Sequence, residues 1–336
     1  MTPFAATIQT RSAGDAQRLP GPRIGFGCGG LMRSASRRHR QRLLAEAFEQ
    51  GIRHFDVARM YGLGAAEREL GRFARGRRED ITIATKFGIE PAAVAGQLAR
   101  LQAPARAVTA RFPALRATFK RNSGVFHQPH RYDLETLNAS LEMSLRELDT
   151  DYVDVLFIHG PARGDILDMV ELGAALDELY HAGRLRAWGI AGDPEPCIGL
   201  LGQASAPTIL QLRDDILAGA PPRVPQGQKV ITFGILSGAL ARIHGHITSS
   251  AERRARWTEM TNMDCGRSEV VASLLLQDAL ERNSRGTVLF GTTRPERVKL
   301  AMDALDVVSR ELEPAPLGVF RELVVSELTP LVRVGG

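Results

Sequence analysis

Four polar residues of this chain could carry out acid–base chemistry together. Each of them ends or closely follows a short apolar run typical of a buried β-strand: Asp56, Tyr61, Lys86 and His159. A free phenol has a pKa of about 10, and a neighbouring ammonium lowers that pKa by favouring the phenolate. Asp56 could hold Lys86 charged beside Tyr61, while His159 could donate a hydrogen bond to a carbonyl oxygen. Tyr61 would then protonate that oxygen as a general acid, which suits the reduction of a carbonyl by a hydride donor.

The elements that must position these residues alternate along the chain. Short apolar runs are each followed by a helical pattern, and the eight strands are predicted at 23–27, 52–57, 81–87, 153–158, 185–190, 208–212, 229–235 and 287–290. Eight such units favour a single α/β domain, a closed (β/α)8 TIM barrel, in which neighbouring strand ends converge on one pocket. The alternative, an open Rossmann sheet, lacks a complete G-x-G-x-x-G after its first strand.

The predicted barrel spans residues 23–310. Residues 1–22 are predicted to be an N-terminal extension, and residues 311–336 a C-terminal segment with a helix that packs on the barrel. Two connections, 88–133 and 236–266, exceed the roughly 12–15 residues of ordinary structureless loops, so we expect them to be functional or partly helical. Both follow a strand, which places them at the C-terminal rim of the barrel, where barrel enzymes keep their chemistry.

The segments that carry the four polar residues resemble the signatures of bacterial-type aldo-keto reductases. The matching segments are 51–62, 84–86 and 154–161, and the resemblance extends from about Ile24 to Leu305. It implies a (β/α)8 barrel, NADPH and reversible carbonyl–alcohol interconversion through an Asp–Tyr–Lys–His tetrad. In that tetrad Tyr61 is the acid/base and Lys86 lowers its pKa. Asp56 orients Lys86, and His159 orients the substrate carbonyl.

The resemblance also implies cofactor contacts. Gln211 matches the glutamine that holds the nicotinamide carboxamide, and Phe233 the aromatic residue that stacks on the nicotinamide, although both also fit ordinary barrel positions. The loop after the last strand resembles the phosphate clamp, with the candidates Gly291, Thr292, Thr293, Arg294 and Arg297. Arg297 matches the arginine associated with the 2′-phosphate. The resemblance implies NADPH/NADP+ as the cofactor. Ala191–Gly192 replace the family's Ser-Asn and Leu300–Ala301 its Glu-Asn, so NADH is also possible.

The positive charge of the chain is confined to one segment. The net charge is +5, but residues 91–132 contain seven Lys or Arg and no Asp or Glu, which leaves −2 for the remainder. A nucleic-acid partner is therefore not expected. The segment predicts a helical lid or wall beside the active site whose positive potential favours an anionic substrate. A partner-facing or solvated surface is the alternative.

Other features exclude whole classes of function. The three cysteines, Cys28, Cys197 and Cys265, show no metal-ligand spacing, so no metal is expected and a reduced, cytoplasmic setting is predicted. No apolar run approaches the roughly 18 residues of a membrane span.

The sequence as a whole predicts an NADP(H)-dependent oxidoreductase, monomeric or a small homo-oligomer, that acts on a small carbonyl or alcohol. Oxidation of a sugar or other alcohol with NAD(P)+, or a cofactor-binding scaffold or regulatory subunit, are the alternatives.

Overall fold

Eight parallel strands close into a barrel in the order of the chain. The computed structural model describes residues 23–34, 36–91, 130–162, 164–166, 168–201, 209–309 and 315–328. The strands are β1 (Ile24–Gly27), β2 (His54–Asp56), β3 (Thr82–Phe87), β4 (Val155–His159), β5 (Trp188–Gly192), β6 (Ile209–Arg213), β7 (Lys229–Phe233) and β8 (Thr287–Phe290). Ile24 of β1 is in register with Val288 of β8, which closes the ring. The predicted (β/α)8 barrel is confirmed.

Helices follow the strands on the outside of the barrel. They are α1 (Arg37–Glu49), α2 (Ala65–Ala74), α3 (Leu134–Leu148), α4 (Met169–His181), α5 (Pro194–Gly199), α6 (Ala239–Ile247), α7 (Ala251–Thr261), α8 (Ser268–Arg282), α9 (Glu296–Ser309) and α10 (Ala315–Leu328). Helix α3 shows how the sequence specifies them. The side chain of Asp133 accepts a hydrogen bond from the backbone N–H of Thr136 and so caps the helix, whose buried face includes Leu137, Leu141 and Leu148.

Apolar side chains fill the interior of the barrel below the C-terminal strand ends. They alternate along the strands and comprise Ala84, Val155, Phe157, Ala187, Ala191, Ile209, Ile231 and Leu289. Inward-facing residues in a barrel form packed layers rather than a pore. The polar residues that continue the same inward rows therefore lie above this apolar floor, at the C-terminal end.

The two long connections differ in what the structure describes of them. The 236–266 connection contains helices α6 and α7, and together with α10 these pack around Trp257 and Phe320. Residues 92–129 of the 88–133 connection lie outside the described residues, as does the predicted basic lid. The described end of this connection places Tyr132 against Gly88, whose φ of +105° and contact with the tyrosine ring leave no room for a Cβ.

Three further properties apply to the described part of the chain. None of its helices combines the length and the apolar character needed to cross a bilayer. Its His, Cys, Asp and Glu side chains form no group of three or more that could hold a metal ion. The three cysteines are free and buried.

Candidate active site

A buried ion pair joins the C-terminal ends of β2 and β3. Lys86 Nζ donates a hydrogen bond to Asp56 Oδ1 over 2.6 Å and a second one to the backbone oxygen of Val57 over 2.9 Å. Both charged side chains are almost fully buried. Burial disfavours the charge on Lys86, but Asp56 and Tyr61 outweigh this effect and raise the pKa of Lys86. The lysine is therefore a fixed cation at neutral pH.

Tyr61 lies beside this cation, in the loop between β2 and α2. Lys86 Nζ is 5.1 Å from the centre of its ring. Lys86 favours the phenolate, as expected from the sequence, but burial has the larger effect and raises the pKa of Tyr61 above that of a free phenol. The expectation of a lowered pKa is thus wrong in its net direction. Tyr61 is a protonated phenol at neutral pH, the state that a general acid requires.

His159 completes the group from the end of β4. Its ring meets Tyr61 edge to face, with 6.2 Å between the ring centres and 88° between the planes. Burial, helped by Lys86 and His130, lowers the pKa of His159 to about 3, so the imidazole is neutral. Its Nδ1 is buried and has no hydrogen-bond partner in the described part of the chain. Its backbone oxygen accepts a hydrogen bond from the hydroxyl of Tyr132 over 2.7 Å.

Gln211 of β6 is the fifth polar residue at this end of the barrel. Its Nε2 donates a hydrogen bond to Asp56 Oδ1 over 2.7 Å, so one carboxylate oxygen serves both Lys86 and Gln211. The Oε1 atom of Gln211 is buried and has no hydrogen-bond partner among the residues that the structure describes. A buried acceptor without a donor is unfavourable and uncommon. The amide group of Gln211 is thus fixed on one side and open to a ligand donor on the other.

Phe233 lies at the end of β7, next to the end of β6. It is only partly buried, and the guanidinium carbon of Arg213 lies 5.2 Å from the centre of its ring. Arg213 is held there by Asp193, whose Oδ1 accepts a hydrogen bond from Arg213 Nε over 2.8 Å. Phe233 therefore lies at the barrel mouth, partly exposed and with Arg213 over its ring.

Packing accounts for one of the departures from the family pattern. Gly192 stands where the family has an asparagine, and a Cβ at this position would lie 3.1 Å from Cys197 Sγ and 3.2 Å from the Cα of Gly160. Both distances are shorter than ordinary Cβ contacts, and backbone cannot retreat easily. A larger residue would have to displace Cys197, so the space that a side-chain amide would occupy is already used.

The loop after β8 lines a separate cleft at the rim. Three of the candidates in this loop contribute to the cleft: Gly291, Thr292 and Arg297. The rest of its lining consists of Leu236, Leu240, Ser268, Glu269, Ala272, Phe290 and Leu300. Thr293 and Arg294 belong to the same loop without lining the cleft. The backbone oxygen of Thr293 accepts a hydrogen bond from His39 Nε2 over 2.8 Å, which ties the loop to α1.

A buried charge network behind Tyr61 was not predicted from the sequence. Glu67 is fully buried, and its Oε1 accepts hydrogen bonds from the hydroxyls of Thr85 and Ser144, each over 2.7 Å. Its Oε2 pairs with Arg59 over 2.5 Å, and Arg59 also contacts Glu90 over 3.2 Å. The sequence feature that indicates this network is the position of Glu67 on the inward face of α2, among apolar residues. This network connects the Tyr61 loop to the strand that carries Lys86.

This arrangement suits proton transfer to an oxygen atom. A protonated phenol and a neutral imidazole lie side by side above an ammonium that can stabilise the phenolate left after transfer. The predicted residues Asp56, Tyr61, Lys86, His159 and Gln211 are brought together, while Arg297 and its loop lie at the rim.

Comparison with known proteins places the chain in a family. The sequence model of the Aldo/keto reductase family matches residues 23–196, which are 174 of the 336 residues. The D-threo-aldose 1-dehydrogenase of a Pseudomonas species is 30% identical over 192 residues, 54% of this chain and 53% of that protein. This match spans about half the length of that relative. The pyridoxal 4-dehydrogenase of Microbacterium luteolum is 25% identical over 298 residues, 81% of this chain and 84% of the relative.

Solved structures show the same fold. An aldo-keto reductase from Klebsiella pneumoniae in complex with NADPH superimposes with a TM-score of 0.59 at 20% identity, over 90% of this chain and 91% of that one. At this identity the likeness concerns the barrel alone. The family match, however, covers more than half of the chain and includes all four residues of the candidate tetrad. The chain therefore belongs to the aldo/keto reductase family.

Proposed function

We propose that this protein is an NADP(H)-dependent oxidoreductase that interconverts a small carbonyl compound and the corresponding alcohol, with Tyr61 as the general acid/base. One observation carries the proposal: the phenol of Tyr61, the buried Lys86–Asp56 pair and the imidazole of His159 meet at the C-terminal end of the barrel.

The residues around the barrel mouth fit a nicotinamide dinucleotide. The unpartnered Oε1 of Gln211 can accept a hydrogen bond from a carboxamide N–H, and Phe233 offers an aromatic face beside it. Arg297 and the N-terminal end of α9 can bind phosphate, in the region where barrels commonly do so. Such a cofactor, when bound, supplies the hydride for reduction or accepts it in oxidation.

The chain itself moves the proton. In reduction, Tyr61 donates its phenolic proton to the substrate oxygen as negative charge develops there, and His159 donates a hydrogen bond to the same oxygen. Lys86 stabilises the resulting phenolate, and Asp56 keeps Lys86 in place. In the opposite direction Tyr61 takes the proton back from the alcohol. A positioned proton donor of this kind contributes about 10²- to 10⁴-fold in rate.

Oxidation of an aldose or another alcohol is the second candidate, since the same tetrad serves both directions. The name of the D-threo-aldose 1-dehydrogenase, one of the relatives, favours it. Under this alternative the physiological substrate carries several hydroxyl groups, and NAD(P)+ is the oxidant.

The test is an assay of the purified protein with NADPH and a panel of reactive aldehydes and ketones, and with NADP+ and a panel of aldoses and alcohols. We expect turnover in at least one direction, and a loss of at least about 100-fold in kcat for Tyr61→Phe. Tyr180→Phe, which removes a phenol hydroxyl from the outer helix α4, is the matched control and should retain full activity. If the wild type shows no turnover in either direction, or if Tyr61→Phe matches the wild type, the proposed function is refuted.

A further inference from the structure

The cleft after β8 contains one pair of opposite charges. Arg297, on the first turn of α9, has its guanidinium NH2 3.7 Å from Oε1 of Glu269, on the first turn of α8. The two side chains are 40% and 47% exposed. A pair this long and this exposed is weak and easily rearranged. Both charges are therefore available to a ligand that enters the cleft.

The residues that line the cleft suit the adenosine end of the proposed cofactor. The reacting end of the cofactor must lie at the barrel axis beside Tyr61, so the other end extends to the rim. There the cleft has apolar walls that can take a flat base, formed by Leu236, Leu240, Ala272, Phe290 and Leu300. Arg297 and Glu269 stand at its edge, at the start of two helices, where a sugar and its phosphate would lie.

We propose that Glu269 is a specificity-determining residue that weakens the preference of this protein for NADP(H) over NAD(H); this inference rests on the proposed function. Arg297 attracts a 2′-phosphate, but Glu269 both neutralises part of that attraction and repels the phosphate directly. A 2′-hydroxyl behaves in the opposite way, because it can donate a hydrogen bond to a carboxylate. Acidic residues hold the ribose of unphosphorylated dinucleotides in the same manner in other folds.

The charge state and the surroundings of Glu269 support this role. Hydrogen bonding to the backbone at the start of α8, with a smaller contribution from Arg297, lowers the pKa of Glu269, so it is ionised at neutral pH. The other polar side chains lining the cleft, those of Ser268 and Thr292, carry no charge. Discrimination between a phosphate and a hydroxyl thus depends on the balance between Arg297 and Glu269.

The experiment measures binding rather than turnover. The dissociation constants of NADP+ and NAD+ are determined by titration calorimetry for the wild type, Glu269→Gln, Arg297→Gln and the control Glu171→Gln. Glu171 is exposed in the first turn of α4, which follows β4, and it does not line the cleft, so its replacement changes the net charge equally without touching the proposed phosphate site. We expect Glu269→Gln to tighten NADP+ about tenfold, which corresponds to about 1.4 kcal/mol, without tightening NAD+. Arg297→Gln should weaken NADP+ selectively, and Glu171→Gln should leave the ratio unchanged.

Each other outcome decides against the inference. If Glu269→Gln leaves the NADP+/NAD+ ratio unchanged while both nucleotides bind, Glu269 does not select the cofactor, although the proposed function stands. The same holds if Glu171→Gln shifts the ratio as much as Glu269→Gln does, because general electrostatics would then account for the effect. If the wild type binds neither nucleotide, the proposed function and the inference both fail.

Discussion

Replacing Glu67 by glutamine perturbs the buried network that holds the Tyr61 loop against β3. The carboxylate has no solvent contact and receives three polar contacts, from Arg59, Thr85 and Ser144. Glutamine keeps an oxygen for the two hydroxyls but turns an NH2 group toward the guanidinium of Arg59. Two donors then face each other, and among the described carboxylates Arg59 retains Glu90 as its ion-pair partner.

The magnitude follows from these contacts. Removing one partner of a buried ion pair typically costs about 3–5 kcal/mol of unfolding free energy. The contact with Glu90 and the two hydroxyl hydrogen bonds remain, so we expect the lower end, about 3 kcal/mol. For a chain of this size, with an unfolding entropy of about 2.1 cal/mol/K per residue, that loss lowers Tm by about 4 °C. Arg59 stands two residues before Tyr61 and Thr85 directly before Lys86, and a displacement of about 1 Å can cost about 100-fold in rate. We therefore expect kcat to fall about 10- to 100-fold.

Glu69 provides a matched control on the same helix. It is also almost fully buried and pairs with Arg72 over 2.6 Å and Arg40 over 3.3 Å, but it faces α1 rather than the site. Glu69→Gln should therefore lower Tm to a similar extent and leave kcat within about twofold of the wild type. The assay combines thermal unfolding with steady-state kinetics at a temperature where both variants are fully folded. Loss of a positioned proton donor lowers kcat and kcat/KM together.

Two results would refute this reasoning. If Glu67→Gln loses stability but retains kcat, the network supports the fold without positioning Tyr61. If Glu67→Gln and Glu69→Gln lose the same factor in kcat, the loss reflects general loosening of α2. Cofactor affinity serves as a further check, since Glu67 is not among the proposed cofactor contacts and its replacement should leave the Kd unchanged.

Three further predictions concern individual groups. Because burial lowers the pKa of His159 to about 3, the pH profile of kcat/KM for reduction should show no histidine titration between about pH 5 and 8. An inflection near about pH 6.5 that disappears in His159→Gln would contradict the prediction. Burial raises the pKa of the Cys28 thiol, so a thiol-specific disulfide reagent should modify Cys28 only after unfolding. If mass spectrometry finds Cys28 modified in the native protein, the protein around Cys28 opens and this prediction is wrong. Burial disfavours the carboxylate of Glu327, but hydrogen bonds from His246 and Trp257 outweigh this and lower the pKa of Glu327 below 4.5. Its stabilising contribution is therefore present above about pH 4.5 and lost as the pH falls, so the Tm difference between the wild type and Glu327→Gln should shrink on acidification.

The sequence alone determined the architecture and located the four residues of the candidate tetrad, because both depend on local patterns. A buried parallel strand is a short apolar run, and its C-terminal end marks the rim of the barrel, so Asp56, Lys86 and His159 could be placed without coordinates. Strand bounds were less certain. The second strand was predicted at 52–57, whereas β2 pairs with its neighbours only over His54–Asp56, because strand ends are set by the partners they meet.

Only the tertiary structure decided the protonation states of the site residues and the hydrogen bonds that hold those residues in place. Lys86 was expected to lower the pKa of Tyr61, but the amount of protein around the phenol, which no sequence pattern reports, has the larger effect and raises it. Gln211 reaches Asp56 across 155 residues of sequence, and Glu67 reaches Ser144 across 77. Closure of the barrel creates these contacts by bringing together strands and helices that are distant in the chain. A local pattern records which side chains point inward, whereas the partner that each one meets is fixed only when the barrel closes.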